Sequence, residues 1–281
     1  MKPIAIDVRG PGSLNNVSAE LLLWEPSGAL KVKSRPLVII CPGGGYDHVS
    51  DREAEPVAMQ FAAMGTHTAV LRYSVAPARF PTALVELARL VRTVRTTEEP
   101  WRAWIDRVIV CGFSAGGHLA GCLGVMWNEP WLARELECEP SLLRPDAMVL
   151  GYPVVTAFEG AHERSFRTLL GETYEDRRDE LSLEKRVRPD TPPTFLWHTA
   201  ADGTVNPRNS LVMAEALSRC RVPFELHIFQ EGGHGLSLAN WQTQSPNGFG
   251  LEPSAEIWVR LAHTWLEQLC MRNEGFDRSE E

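Results

Sequence analysis

Apolar runs recur along this chain, and helical patterns fill the intervals between them. Residues 37–41, 68–73, 108–111, 147–152, 194–198 and 224–229 read as strands, and runs such as Leu37-Val38-Ile39-Ile40-Cys41 suit strands covered on both faces. A peripheral strand is expected over 20–25. Between them, Ala54, Val57, Ala58, Phe61 and Ala62 repeat at helical spacing until Gly65 stops the segment. Leu84, Leu87, Ala88, Val91 and Val94 share one side of a second helix, and a third begins just after Ser114. A later helix should turn Leu211, Ala214 and Leu217 inward, and a terminal one Ile257, Leu261, Trp265 and Leu269. This alternation is that of successive βαβ units, so the expected fold is α/β, with a mostly parallel central sheet and helices on both faces.

Two stretches break the alternation. Residues 158–193 are charged, with one apolar cluster at Phe166, Leu169 and Leu170, and read as a cap-like insertion over the active-site face. Residues 240–253 are polar and read as a mobile rim, while 272–281 are expected to fray. One domain over 1–281 accommodates both irregular stretches.

The chain has 281 residues, 44% of them hydrophobic, enough for a substantial single core. Its 28 basic and 36 acidic residues leave a formal charge of -8, with both signs mixed and no basic stripe for nucleic acid. The first residues lack the apolar run and cleavage site of a secretory signal, and no membrane-length apolar stretch occurs, so a soluble cytoplasmic protein is expected. The six cysteines form no zinc or redox spacing; Cys41 and Cys111 end strand-like runs and read as small buried hydrophobes.

Chemistry enters at Gly112-Phe113-Ser114-Ala115-Gly116. A β-forming run leads in and a helix-compatible run leads out, the context of a G-x-S-x-G nucleophile elbow. The glycines are expected because a side chain two residues before or after the serine would collide with the neighbouring strand or the following helix.

A serine nucleophile needs a base, and the base an orienting acid. Asp202 and His234 each follow a late strand and give the chain order nucleophile, acid, histidine; glycines flank His234 and let its backbone set the ring over the serine. His48, His118 and His198 have weaker contexts and read as structural or pocket-lining. Asp176, Asp179 and Asp190 precede the late strand and are poorer acids. Glu98, Glu99 and Asp106, near Trp101 and Trp104, read as a solvated connector and not as a glycosidase pair.

Acyl transfer also needs donors for the developing oxyanion. Pro42-Gly43-Gly44-Gly45-Tyr46 resembles the HGGG-type loop with proline replacing the histidine, so Gly44, Gly45 and Ala115 are the expected donors. A phosphate nest is the competing reading of three glycines, but the lysine and Ser/Thr of a P-loop are absent.

With Leu71-Arg72-Tyr73, Asp202-Gly203-Thr204-Val205 and Gly233-His234-Gly235-Leu236, these motifs resemble the α/β-hydrolase superfamily over approximately residues 37–270, in particular its acetyl-xylan esterase-like and broader carbohydrate esterase-like branch. The resemblance implies a serine carboxylesterase that acts on short acyl esters, with acetylated xylo-oligosaccharides as the expected substrate and no cofactor or metal. A small-amide hydrolase or peptidase stays open, as does a noncatalytic binding protein on the same fold. Asn206 separates Val205 from Pro207 where these proteins often join valine to proline, and Glu86 stands where aspartate is common. Tyr46, Trp127, Trp241 and Phe249 are the aromatics expected around the substrate.

Overall fold

The computed structural model describes residues 2–273. Eight strands build one sheet: β1 (Lys2–Ile6), β2 (Ser18–Leu23), β3 (Arg35–Cys41), β4 (His67–Arg72), β5 (Ile105–Phe113), β6 (Ala147–Gly151), β7 (Thr194–Thr199) and β8 (Phe224–Phe229). They lie in the order β1-β2-β4-β3-β5-β6-β7-β8. From β4 to β8 every pairing is parallel, while β1 with β2 and β2 with β4 are antiparallel. The sheet is thus α/β and mostly parallel. The first strand carries only two alternating apolar residues, Ile4 and Ile6, too faint a pattern to separate it from a loop.

The helices are α1 (Glu55–Ala63), α2 (Thr82–Thr96), α3 (Ser114–Met126), α4 (Pro130–Glu135), α5 (Glu163–Leu170), α6 (Tyr174–Arg177), α7 (Arg208–Arg219), α8 (Pro253–Glu256) and α9 (Trp258–Asn273). Strand side chains alternate between two cores. Leu37, Ile39, Val108 and Val110 meet α2, α3 and α7 on one face, whereas Val38, Ile40, Ile109 and Cys111 meet α1 and α9 on the other. Each of these strand residues is at most 1% exposed, which is why the runs carry no polar alternation.

Several expected elements shift. The segment beginning at residue 53 opens as a 3₁₀ turn, Asp51–Glu53, and becomes α-helical only at Glu55. Leu211 is 51% exposed and Ile257 45% exposed, so neither faces the core. The inward residues of α7 are Met213, Ala214, Ala216 and Leu217, and those of α9 are Trp258, Val259, Ala262, Trp265 and Leu266. Leu211 sits in the first turn of α7 on its solvent side, whereas Ile257 lies in the break between α8 and α9 and is not part of the terminal helix. The stretch 158–193 holds α5 and α6 with short 3₁₀ turns. Of the tail expected to fray, all but residues 272 and 273 lies outside the described residues.

Beneath the carboxyl ends of the central strands is a bed of rings. Trp197 stacks on Trp258 at 4.9 Å and 16°, Phe113 meets Trp258 edge-on at 5.6 Å, and Tyr152 meets Trp197 edge-on at 4.9 Å. Removing a buried ring of this size costs about 3–5 kcal/mol. Phe113 ends β5 next to Ser114 and Tyr152 is the first residue after β6, so these rings hold the ends of both strands. The described cysteines are free thiols, with Cys41, Cys111 and Cys122 buried. Among the described residues, no helix is long and apolar enough to cross a membrane.

Candidate active site

Ser114 is the first residue of α3 and follows β5 without a linker, so the chain must reverse at the serine itself. Its φ of 53° lies in the left-handed region, which a non-glycine residue adopts only where its surroundings enforce it. The flanking glycines have that steric role. A Cβ on Gly112 would sit 2.2 Å from the Gly116 carbonyl oxygen, and one on Gly116 would sit 2.1 Å from that of Cys41. Both obstacles are backbone and cannot swing aside.

Three side chains distant in sequence meet here. The His234 Nδ1 lies 2.7 Å from Asp202 Oδ2, and its Nε2 lies 2.8 Å from Ser114 Oγ. An ionised carboxylate only accepts, so the proton belongs on Nδ1 and the Nε2 lone pair faces the serine hydroxyl. That tautomer lets the ring take the serine proton.

Asp202 is buried, and its other oxygen accepts the Thr204 and Val205 N–H groups at 2.9 Å each. Burial pushes this carboxyl up. Hydrogen bonds from His198 and His234, with the His234 charge and the Thr204 N–H, outweigh burial and hold it well below the usual carboxylate range. Asn206 sits outside these contacts, so its insertion before Pro207 leaves the acid's own bonds intact.

The glycine loop after β3 closes the other side. A Cβ on Gly43 would lie 3.1 Å from Ser114 Cβ, so loop and nucleophile are in contact. Gly44 and Gly45 have φ of 132° and 65°. Among the described residues, the N–H groups of Gly44, Gly45 and Ala115 donate to no protein acceptor. Ala115 also lies in the first turn of α3, where the helix dipole favours negative charge.

Phe249 packs beside the histidine loop, since a Cβ on Gly233 would lie 3.1 Å from its ring, and Arg52 stands over the same ring at 5.7 Å. Trp241 is 77% exposed in a 3₁₀ turn seven residues after His234. Tyr46 is 3% exposed, its hydroxyl bonds to His118 Nδ1 at 2.8 Å, and its ring borders a small apolar cavity with Phe80, Leu84 and Leu169. Trp127 caps the far end of α3, roughly 20 Å from Ser114 along the helix axis, beneath Arg144.

His118 is a core residue, with Nε2 donating to the Leu181 carbonyl at 2.9 Å, and burial lowers its pKa to about 4. His48 is exposed on the glycine loop. Asp179 and Asp190 pair with Lys185 and Arg188, Asp176 is exposed, and none reaches the histidine. Glu98 and Glu99 are exposed, and Asp106 bonds Ser34. Glu86 is fully buried and binds Ser13 and both the N–H and hydroxyl of Ser74, a structural duty that suits the longer side chain.

Sequence reasoning missed His162 and Ser165. Ser165 Oγ lies 3.9 Å from where a Gly45 Cβ would be, and it bonds His162 Nδ1 at 2.8 Å. Two residues before His162, the Gly160 carbonyl accepts from Asn209 at 2.9 Å. This segment therefore runs from the acid loop to the glycine loop. Burial lowers the His162 pKa, helped by His234 and Arg164 and opposed by Asp202. Nothing in the polar segment around residue 162 distinguishes it in sequence.

This sheet, elbow and hydrogen-bonded chain define an α/β-hydrolase of the esterase kind. The chain belongs to the BD-FAE family, whose model matches residues 26–217. It is 35% identical over 215 residues to endo-1,4-beta-xylanase B of Butyrivibrio fibrisolvens, a match that covers 73% of this chain but 33% of that protein. It thus spans about a third of that curated relative. Among solved structures, it resembles the acetyl ester-xyloside bifunctional hydrolase of Caldicellulosiruptor lactoaceticus at 37% identity and a TM-score of 0.75, covering 91% of this chain and 90% of that one. A carboxylesterase from Lactobacillus plantarum matches at 29% identity and a TM-score of 0.81, covering 96% and 98%.

Proposed function

We propose that this protein is a serine carboxylesterase that removes acetyl groups from short carbohydrates such as xylo-oligosaccharides. The observation that carries the chemistry is the continuous bond chain from Ser114 Oγ through His234 to Asp202. In the first half-reaction, Ser114 Oγ bonds to the ester carbonyl carbon as its proton passes to His234 Nε2. The carbonyl oxygen takes the charge and is held by the N–H groups of Gly44, Gly45 and Ala115. Collapse breaks the bond to the alcohol, which leaves with the proton from His234, and an acetyl-serine remains. Water then gives its proton to His234 and attacks this ester; acetate departs and the serine recovers its hydrogen.

Two things support acetylated sugar as the substrate class. A structurally similar relative carries acetyl ester and xyloside hydrolysis in its name. The glycine loop and the His162–Ser165 segment stand close together beside Ser114, a setting for a short acyl group.

The test is a panel of p-nitrophenyl acetate, longer p-nitrophenyl esters, acetylated xylo-oligosaccharides, aryl formamides and aminoacyl amides, with fluorophosphonate labelling of the serine. Acetate release with kcat/KM highest on the acetylated sugar is expected, and Ser114→Ala should lower it on the order of a million-fold. Equal turnover in wild type and Ser114→Ala would sink the mechanism, and a preference for amides would sink the substrate class.

A further inference from the structure

Glu53 closes the 3₁₀ turn before α1 and is 4% exposed, although it is a carboxylate. Its Oε2 accepts the Gly43 N–H at 2.7 Å, and its Oε1 accepts the Tyr152 hydroxyl at 2.6 Å. The Tyr152 oxygen in turn accepts the Ser237 N–H at 2.9 Å. Among the described residues no cation pairs with Glu53. The neighbouring Arg52 sends its Nε to the Thr243 carbonyl and its Nη1 to that of Gly235.

A buried carboxylate without a cation is costly to desolvate, and an apolar side chain of similar size would serve a core at least as well. Geometry supplies a reason for the charge. Gly43 touches Ser114, while Ser237 lies three residues beyond His234, so the chain Gly43, Glu53, Tyr152, Ser237 joins the glycine loop to the histidine loop underneath the nucleophile. The Tyr152 ring also stands edge-on to the His234 ring at 5.1 Å and 72°. Arg52 adds a second tie, because its own carbonyl accepts the Ser237 hydroxyl at 2.5 Å.

We propose that Glu53 is a positioning residue: acting through Tyr152, its carboxylate holds the glycine loop and the histidine loop in one register across Ser114. This rests on the esterase reading above. The Gly43 N–H is committed to Glu53, so Gly44 and Gly45 are the loop amides that face the oxyanion. A carboxylate suits the post because its two oxygens accept from both directions and charge-assisted bonds are short and directional.

Tyr152→Phe keeps every ring contact and removes only the hydroxyl; Glu53→Gln removes the charge at constant shape. The experiment measures kcat and KM on p-nitrophenyl acetate, thermal midpoint, and affinity for a trifluoromethyl ketone that forms a hemiketal with Ser114. Each variant should lose about 10- to 100-fold in kcat, the scale of a small misplacement in an active site, while KM moves little. Ketone affinity should fall in parallel, and the double variant should be no slower than the slower single one, since both break one chain. Folded variants with wild-type kcat and ketone affinity overturn the proposal, as do losses that multiply in the double variant. A wild type that neither hydrolyses esters nor labels at Ser114 strikes the esterase reading, whereas full turnover in the variants beside an active wild type strikes the positioning role alone.

Discussion

His198 Nε2 lies 3.3 Å from Asp202 Oδ2, the same oxygen that His234 Nδ1 reaches at 2.7 Å. Nε2 of His198 also lies 2.9 Å from the Val205 carbonyl, so it carries the proton, and its Nδ1 accepts from the Ser210 hydroxyl at 2.8 Å. One acid thus holds the His234 imidazole that faces Ser114, while a second, fully buried imidazole holds the acid. Asp202→Asn should favour the wrong His234 tautomer and reduce kcat by roughly 10,000-fold. His198→Asn removes a supporting donor and should cost about 10-fold, with KM little changed. Steady-state kinetics on p-nitrophenyl acetate decides the order; a His198 variant slower than the Asp202 variant would place the catalytic partner wrongly.

Gly116 is the tightest point of the elbow. A methyl group there would sit 2.1 Å from the Cys41 carbonyl oxygen and 2.3 Å from that of Pro42, both in the backbone that leads into the glycine loop. Relief requires β3 and α3 to separate. Gly116→Ala is expected to destabilise the fold by about 3 kcal/mol and to lower activity further in the protein that still folds. Urea denaturation with an unchanged midpoint would show that the contact yields more easily than backbone should.

The four aromatics separate by position. Phe249 adjoins the backbone of Gly233, next to His234, so Phe249→Ala should change KM and acyl-chain preference. Trp127→Ala, at the other end of α3, should leave both KM and kcat within about twofold. A Trp127 variant that altered acyl-chain preference would mean that substrate reaches a face far from Ser114.

The strands were legible because a two-sided sheet demands uninterrupted apolar residues, and the elbow because crowding at Gly112 and Gly116 forbids side chains. Asp202 and His234 stood out through their place after late strands. Helix faces and boundaries are less legible: the rotation of α7, which turns Leu211 outward, and the break that leaves Ile257 ahead of α9 depend on neighbours that no local pattern contains. Nor did sequence show Glu53 as more than the start of a helix, since its partners Gly43, Tyr152 and Ser237 are 10, 99 and, through Tyr152, a further 85 residues away in chain order. Tyr46 illustrates the converse. Its neighbour Gly45 faces the site, yet a positive φ of 62° helps turn Tyr46 into the core against Tyr73 and His118.

That burial has a consequence for acid stability. His118 is neutral in the fold, between the Tyr46 hydroxyl and the Leu181 carbonyl, with its pKa lowered from 6.5 to about 4 by burial. In the unfolded chain the ring regains its ordinary affinity for a proton. Below pH 6.5 the unfolded state therefore binds a proton that the native state refuses, so this site's share of stability is complete above 6.5 and declines as pH falls towards 4. Across that window the loss is on the order of 3 kcal/mol. Glutamine at this position would keep an acceptor for Tyr46 and a donor for Leu181 without a titrating group. His118→Gln should accordingly flatten the decline between pH 6.5 and 4 in urea denaturation; identical slopes for variant and wild type would mean that the ring is protonated without unfolding.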